Sequence, residues 1–486
     1  MTVRRIARPD DLDSSVIVDI ARGTGRIELA DDLKHALVVS RRATLDDLAG
    51  DRLVYGVNTG MGALSGVRLD AAAQARHQDT LMTGRAVGSA PWLRRDQARA
   101  LIAARLRTFL HPSAGVSVGL CEALVDLLND DIVPAIPARG SGAAGEIIPL
   151  AHAGSVLLGR GEVLEPGDPP PPRSFGAKEG IAFLEGVPGL TGMSALASHD
   201  VRRLLPQVVV ALAGSLAVAG ASRDPLHPAL ADSVELGAVL DDLRSLRGDG
   251  PVNALQAPVS YRVSAPALAV AMRAVKELDA AVDRALGAVT DSPAHLGGEF
   301  VGTFGFAGTE LAAALGALTT ALVHLAELGA ARLHRLLDPA VTGLNRQLAA
   351  SPGVDAGLAG VHKRAVGVAH RLRRFAMPAL VGAMETSLGQ EDVQSFGFEA
   401  VECVNEAITG LRDVLACELL ALVQARRLSA SLPSGAPASL ALTEIDAALP
   451  AGTTDRPYGR DLDKIVELLE SGSTSAVASR SARVLE

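Results

Sequence analysis

The chain has 486 residues, of which 48% are hydrophobic and 21% are charged, and its formal net charge is -9. This composition excludes a disordered chain, and the acidic balance argues against nucleic acid as the main partner. Aromatic residues make up only 3%, whereas alanine and leucine are abundant, so packed helices are favoured over β-sandwiches or barrels.

In chain order, the first part of the sequence alternates glycine-rich loops with predicted helices. The loops are VYGVNTGMG at 54–62 and RGSGAAG at 139–145, and neither has the glycine spacing of a phosphate-binding or dinucleotide-binding motif. The sequence predicts helices over 96–109 and 119–129. Prolines 169–172 predict an extended connection.

From about residue 189 onward the sequence consists of long segments rich in alanine and leucine. Apolar residues recur every three or four positions over 310–337, 361–375 and 401–428, which predicts long helices. We therefore predict a mainly α fold with three parts. These parts are a loop-rich N-terminal domain at 1–188, a central long-helix bundle at 189–471 and a flexible tail at 472–486.

The same patterns predict a soluble, cytoplasmic protein that binds neither membranes nor metals. The N-terminal residues MTVRRIARPDDLDSS have no apolar segment after their arginines, so no signal peptide is predicted. The stretch 204–222 is uncharged, but Pro206 and Gln207 weaken it as a membrane span, and we interpret it as a buried helix. The three cysteines are too few and too scattered for a disulfide framework or a metal site.

Several short strings carry the functional information, and they follow one another along almost the whole chain. They are YGVNTG at 55–60, IPARGSGAAGEIIPL at 136–150, KEG at 178–180, QAPVSYR at 256–262, GGEF at 297–300, RLHRLLDPAVTGL at 332–344, QEDVQS at 390–395 and DR at 455–456. Each string alone is a weak signal. Together, in this order, they resemble the motifs of the histidine and phenylalanine ammonia-lyase family.

The resemblance implies a fold, an assembly and a chemistry. Members of the family are mostly α-helical homotetramers, and their active sites are built from loops of three subunits. They remove ammonia from an amino acid or shift it between carbons. Their electrophile, methylidene-imidazolone, forms from an internal Ala-Ser-Gly tripeptide, whose serine hydroxyl leaves as water.

This sequence departs from the family at that tripeptide. It has Ala143-Ala144-Gly145, and alanine has no hydroxyl to lose. The loop is also one residue shorter, and only a shift of register would allow Ser141 to take part. We therefore expect no methylidene-imidazolone and no other cofactor.

Several residues match the family's functional positions. By resemblance, Tyr55 is the catalytic base, which requires a pKa below the usual value of about 10 for a phenol. Arg262 matches the arginine that binds the substrate carboxylate, and Glu391 matches the carboxylate near the amino end of the substrate. Asn58 and Gln256, which lie in the same two preserved strings, are predicted to bind substrate. The alternative for Tyr55 is a tyrosine that only closes the pocket, and the alternative for Arg262 is a structural ion pair. Glu391 could instead belong to a capping or inter-subunit network.

Other matching positions have changed. The family's Ser-His pair aligns near Gly84 and Arg85, so the histidine is missing, and Glu185 and Glu299 stand where the family has asparagines. A carboxyl group with a raised pKa is a general acid or base that needs no electrophile. We predict Glu185 and Glu299 as catalytic residues and Arg85 as a substrate-binding residue. The alternative is that these side chains fill vacated space and meet solvent.

Three functions remain open from the sequence. The first is a lyase-type enzyme without the electrophile, which catalyses dehydration, conjugate addition or ring closure of a small molecule that carries a carboxylate or carbonyl group, in specialised metabolism. The second is an inactive homologue that binds a ligand or joins an active paralogue. The third is a conventional ammonia-lyase whose prosthetic group forms in a shifted register.

Overall fold

The computed structural model describes residues 3–23, 25–164, 168–253, 255–428, 437–472 and Leu485. Its described residues form three two-stranded sheets: parallel Val3–Ile6 with Arg26–Leu29, antiparallel Val133–Pro134 with Val163–Leu164, and antiparallel Ala294–Leu296 with Glu299–Val301. The rest of the regular structure is helical. The α-helices are Ser14–Ala21, Asp31–Leu48, Ala71–Thr83, Arg95–Phe109, Val118–Asn129, Ile147–Leu157, Glu179–Leu184, Pro188–Val218, Val234–Arg247, Val259–Arg262, Ser264–Gly287, Thr309–Leu336, Pro339–Thr342, Ala359–Leu372, Gly397–Leu428, Pro437–Ala447 and Gly459–Ser471. The predicted mainly α fold is confirmed.

The helices predicted from apolar spacing are all present, with ends displaced by a few residues. The helix predicted at 119–129 is Val118–Asn129, because the hydroxyl of Ser117 accepts a hydrogen bond from the N–H of Leu120 and so caps its first turn. The helix predicted at 361–375 ends as an α-helix at Leu372 and continues as one 3-10 turn. Such tightening at a helix end is common and is not visible in apolar periodicity.

The chain divides into two compact units whose segments alternate along the sequence. The first unit contains the residues up to Ala197 together with Leu278–Leu315 and Pro378–Glu402. The second contains Ser198–Glu277, Gly316–Met377 and the described residues from Cys403 onward. This division differs from the single boundary predicted after residue 188, because tertiary contacts join distant segments. The predicted tail lies outside the described residues except for Gly472 and Leu485.

The helix Arg95–Phe109 of the first unit is almost entirely buried even though it carries charged side chains. Arg99 forms an ion pair with Asp131 at 2.8 Å. Arg105 donates hydrogen bonds to the carbonyl oxygens of Ala182 and Glu185. Buried cations need such partners to offset lost hydration. The buried side chain of Arg105 therefore fixes the position of the Glu185 backbone.

Two helical stretches are long and apolar enough to span a membrane, Glu179–Val218 and Thr309–Leu336. Their most apolar windows are 83% and 67% buried within the chain. Such burial is expected for core helices of a soluble protein. The interpretation of 204–222 as a buried helix agrees with this finding, since the helix continues to Val218 and side chains such as Leu204 and Leu212 are almost completely buried. A cytoplasmic location stays a prediction.

Candidate active site

The loop that carries Tyr55 is held by hydrogen bonds from within the loop itself. The carboxamide oxygen of Asn58 accepts from the N–H of Val54 at 2.7 Å, and its nitrogen donates to the carbonyl of Arg52 at 2.8 Å. Asn58 is only 8% exposed. Its amide thus holds the backbone on the N-terminal side of Tyr55, and the substrate-binding role predicted for Asn58 stays a prediction.

A second set of contacts fixes the same loop against the neighbouring helices. Gln78 donates to the carbonyl of Gly56 at 3.0 Å and accepts from the N–H of Ile181 at 3.1 Å. Gly56 has φ +67°, and a Cβ at this position would lie 2.7 Å from the side chain of Ile181. Only glycine fits such a position without strain.

Tyr55 is half-buried, and its hydroxyl oxygen accepts a hydrogen bond from the N–H of Gly62 at 2.8 Å. Burial raises the pKa of the phenol, the hydrogen bond from Gly62 opposes this, and the charges of Glu185 and Glu391 raise the pKa further. Arg85 lowers it only in part. The prediction that Tyr55 acts as a base required a lowered pKa. The electrostatics of the chain do the opposite, because the burial of the phenol outweighs the nearby cation.

Glu391 lies against the altered tripeptide. Its Oε2 accepts a hydrogen bond from the N–H of Ala144 at 2.8 Å, and its Oε1 accepts from the hydroxyl of Ser387 at 2.8 Å. The hydroxyl of Thr386 makes a longer contact at 3.4 Å. Ser387 and Leu388 have φ values of +54° and +56°, a strained conformation for residues other than glycine. The sequence QEDVQS indicated Glu391, but no signal in it marks Ser387 as its partner.

The tripeptide Ala143-Ala144-Gly145 lies in an irregular segment before the helix Ile147–Leu157. Arg139, at the start of this segment, donates to Glu402 at 3.1 Å and 2.5 Å through two guanidinium nitrogens. The methyl group of Ala144 offers no oxygen that could leave as water. The residues present therefore do not fit the chemistry that forms methylidene-imidazolone from this tripeptide.

Glu185 follows the helix Glu179–Leu184 and is 8% exposed. Within the described chain, no hydrogen bond to its carboxyl group is present. Burial raises the pKa of this carboxyl to about 8, with further contributions from the charges of Asp291 and Glu391, while Arg105 and Arg85 oppose the shift. Glu185 therefore carries a proton at neutral pH, which satisfies the condition set for it as a general acid.

This protonation predicts a pH dependence of stability. In the unfolded chain the pKa of Glu185 returns to about 4.5, so the folded state binds the proton more tightly between this value and about 8. Stability contributed by Glu185 is then complete below the lower pKa and decreases as the pH rises through this window. We expect Glu185→Gln to remove a slope of up to about 1.4 kcal/mol per pH unit.

Urea unfolding of both proteins across this window measures the difference. Burial raises the pKa of Glu146 to about 7, and this group affects both proteins alike. Burial also raises the pKa of Asp291, whose charge interacts with that of Glu185, so part of the change in slope arises through Asp291. Glu299→Gln, at an exposed carboxylate, is the control and should keep the wild-type slope. Equal slopes for the wild type and Glu185→Gln would mean that Glu185 is ionised in the folded protein.

Arg85 is half-buried in the segment that follows the helix Ala71–Thr83. Its side chain makes one hydrogen bond, from Nη1 to the carbonyl of Leu81 at 3.4 Å. In the part of the chain that the structure describes, no carboxylate lies within the 4.0 Å of an ion pair from its guanidinium. The charges of Tyr55, Glu185 and Glu391 nevertheless act on Arg85. The structure thus brings four predicted site residues into one electrostatic cluster.

The remaining predicted residues lie elsewhere. Glu299 is on the strand Glu299–Val301, its side chain is 68% exposed, and its ion-pair partner is Arg52 at 4.0 Å. Arg262 and Gln256 belong to the second unit. Arg262 is half-buried and donates from Nε to the carbonyl of Ala257 at 3.0 Å, while Gln256 is exposed. The roles predicted for these three residues stay predictions.

Sequence reasoning missed a buried ion pair close to Glu185. Lys178, completely buried, donates from Nζ to Asp291 at 2.7 Å and to the carbonyl of Ala114 at 2.7 Å. The second oxygen of Asp291 is buried without a hydrogen-bond partner in the described chain. The KEG string pointed to Lys178, but nothing local could identify a partner 113 residues away.

The fold and the site define a mostly helical enzyme whose chemical groups come from loops and helix ends. The sequence profile described as aromatic amino acid lyase matches residues 12–447. The chain belongs to the aromatic amino acid lyase family and is an enzyme of the lyase class.

Comparison with individual proteins agrees with this assignment. A histidine ammonia-lyase of Gloeobacter violaceus is 29% identical over 481 residues, which cover 94% of each protein. The ergothionase of Treponema denticola, an ergothioneine-degrading enzyme, has a TM-score of 0.89 at 22% identity, covering 97% of this chain and 99% of its own. The tyrosine aminomutase of Streptomyces globisporus has a TM-score of 0.89 at 23% identity, covering 96% and 97%. The two structural comparisons show a shared fold.

Proposed function

We propose that this lyase works without methylidene-imidazolone, by acid/base elimination or addition on a small molecule that carries a carboxylate or carbonyl group. The observation that carries the proposal is the alanine at position 144, whose N–H is bound by Glu391 beside the cluster of Tyr55, Arg85 and Glu185. The tripeptide cannot supply an electrophile, while Glu391, a group suited to proton transfer, contacts it.

In the elimination direction, the carboxylate of Glu391 accepts a proton from the substrate carbon next to the carbonyl group. The electron pair of that C–H bond forms the new double bond. The bond to the heteroatom group breaks, and this group leaves with its electron pair and takes the proton of Glu185. Addition is the reverse. A carboxyl group with a pKa of about 8 is well matched to proton transfer near neutral pH.

This chemistry restricts the substrate. Without an electrophile to activate it, the substrate needs an already acidic proton or a leaving group better than ammonia, so dehydration, conjugate addition and ring closure fit. The named relatives support a range of reactions on this fold, since they include a histidine ammonia-lyase, an aminomutase and an ergothioneine-degrading enzyme. A role in specialised metabolism is part of the proposal by analogy only.

The proposal also includes parts taken from the family resemblance. Arg262 binds the substrate carboxylate, because its planar fork is suited to a bidentate contact. Gln256, in the same sequence string as Arg262, also binds the substrate. The protein acts as a cytoplasmic homotetramer with sites shared between subunits, and it needs no cofactor. An inactive homologue is the alternative, and the mutual electrostatic influence of Glu185, Glu391 and Arg85 favours the enzyme.

The first test is the intact mass of the purified protein. Formation of methylidene-imidazolone expels two water molecules, and we expect the mass of the unmodified sequence. Ser141→Ala is the matched variant, and its mass should differ only by the oxygen it removes. A wild-type deficit of two waters that disappears in Ser141→Ala would contradict the proposal and favour a conventional ammonia-lyase.

A further inference from the structure

Two side chains of the site, those of Arg85 and Tyr55, have hydrogen-bond donors that the described chain does not use. A guanidinium has five N–H donors, and Arg85 uses one of them, toward the carbonyl of Leu81. The oxygen of Tyr55 already accepts from the N–H of Gly62. No acceptor for the hydroxyl proton of Tyr55 is present among the described residues, so this proton can be donated to a ligand.

The loop of Tyr55 and the segment of Arg85 are linked through the helix Ala71–Thr83, because Gln78 of this helix donates a hydrogen bond to the carbonyl of Gly56. Four titratable groups interact electrostatically with Arg85. They are Tyr55, His77, Glu185 and Glu391. Burial, and then the charge of Arg85, lowers the pKa of His77, so its ring is neutral at neutral pH. Glu185 is protonated, as described above. The two side-chain oxygens of Glu391 accept hydrogen bonds from the N–H of Ala144 and the hydroxyl of Ser387.

We propose that Tyr55 and Arg85 together bind an oxyanion that forms on the substrate, and that this pair of donors takes the place of the missing electrophile. The inference rests on the proposed function and specifies its substrate class. The substrate carries a carbonyl group directly next to the carbon that loses its proton. In this arrangement Tyr55 keeps its proton and donates a hydrogen bond to the substrate oxygen, so it is not the base.

The step balances as an elimination through an enolate. When Glu391 accepts the proton, the C–H electron pair forms a carbon–carbon double bond and the carbonyl oxygen takes the negative charge. This oxygen accepts hydrogen bonds from the phenol of Tyr55 and the guanidinium of Arg85. The enolate then re-forms its carbonyl group and expels the heteroatom group, which takes the proton of Glu185.

An oxyanion probe tests the pair without knowledge of the natural substrate. The probe is para-nitrophenol, because its ionised form has a distinct visible absorbance and places a negative oxygen on an aromatic ring. We expect the wild-type protein to bind the phenolate in preference to the phenol. Charge-assisted hydrogen bonds of this kind predict a loss of about 10- to 100-fold in phenolate affinity for Arg85→Gln, and a loss of about 10-fold for Tyr55→Phe.

Two further variants keep the test decisive. Arg85→Lys retains the charge and should lose less affinity than Arg85→Gln. Arg76→Gln alters an exposed arginine on the preceding helix and should bind as the wild type does. Thermal unfolding confirms that each variant is folded. Absence of binding to the wild type, a preference for the neutral phenol, or equal affinities in all variants would each overturn the proposal.

The result is independent of the intact-mass test. Loss of two waters together with phenolate binding through Tyr55 and Arg85 would reject the proposed function and retain the oxyanion site. An unmodified mass without such binding would retain the proposed function and reject the oxyanion site.

Discussion

Glu391→Gln is expected to lower turnover by about 10²- to 10⁴-fold, because it removes the proton acceptor while leaving the loop in place. The glutamine oxygen can still accept from the N–H of Ala144. Its amide nitrogen can donate to the hydroxyl of Ser387, because a hydroxyl both donates and accepts. The measurement is the initial rate with β-hydroxy and β-amino carbonyl compounds, followed by the ultraviolet absorbance of the conjugated product.

Glu385→Gln is the control for this prediction. It makes the same chemical change on an exposed side chain of the same loop, and turnover should stay at the wild-type level. If Glu391→Gln is as active as Glu385→Gln, Glu391 is only a capping group for the tripeptide segment. That outcome would support the structural alternative for this residue.

The largest expected loss of stability comes from a buried ion pair in the second unit. The side chains of Arg332 and Glu418 are each 1% exposed. Nε of Arg332 donates to Oε1 of Glu418 at 2.7 Å, and Nη2 donates to Oε2 at 2.8 Å. Arg332 also donates to the hydroxyl of Ser264 at 2.6 Å, and Ser215 donates to Glu418 at 2.6 Å. Arg332→Met leaves the carboxylate of Glu418 buried without its cation. We expect the free energy of unfolding to fall by about 3–5 kcal/mol.

Urea unfolding at fixed protein concentration measures this loss, since assembly alters apparent stability. Arg364→Met is the matched control, because Arg364 forms a similar pair with Asp413 but remains partly exposed. We expect it to cost at most about 1 kcal/mol. The double variant Arg332→Met with Glu418→Leu should recover much of the loss, because no unpaired charge remains. Equal effects of Arg332→Met and Arg364→Met would contradict the prediction.

The donor role proposed for Tyr55 illustrates why a matching residue does not by itself fix a mechanism. The string YGVNTG correctly indicated an organised loop, and its asparagine and glycine account for the loop conformation. Whether the phenol loses or keeps its proton depends on burial and on charges from distant parts of the chain. In this protein those effects raise the pKa of Tyr55. The enzyme can therefore keep the residue and use it differently.

Burial separates the two glutamates that were predicted together. Both replace asparagines of the family motifs, and nothing local distinguishes them. Glu185 is buried, its backbone carbonyl accepts a hydrogen bond from Arg105, and its pKa rises to about 8. The side chain of Glu299 is instead 68% exposed and pairs with Arg52. A glutamate becomes a general acid near neutral pH only where water is excluded from it. Of the two residues, Glu185 meets this condition, and the catalytic roles of both stay predictions.

The sequence by itself determined the helical class, the positions of the long helices and the family, because apolar periodicity and short motif strings are local properties. It also determined that the tripeptide has no serine. Only the tertiary structure decided that Glu391 binds the N–H of Ala144, that Lys178 pairs with Asp291 and that the described residues leave donors of Arg85 unused. These contacts join residues far apart in the chain. Their pKa values and hydrogen bonds follow from burial and proximity, which exist only once the chain has folded.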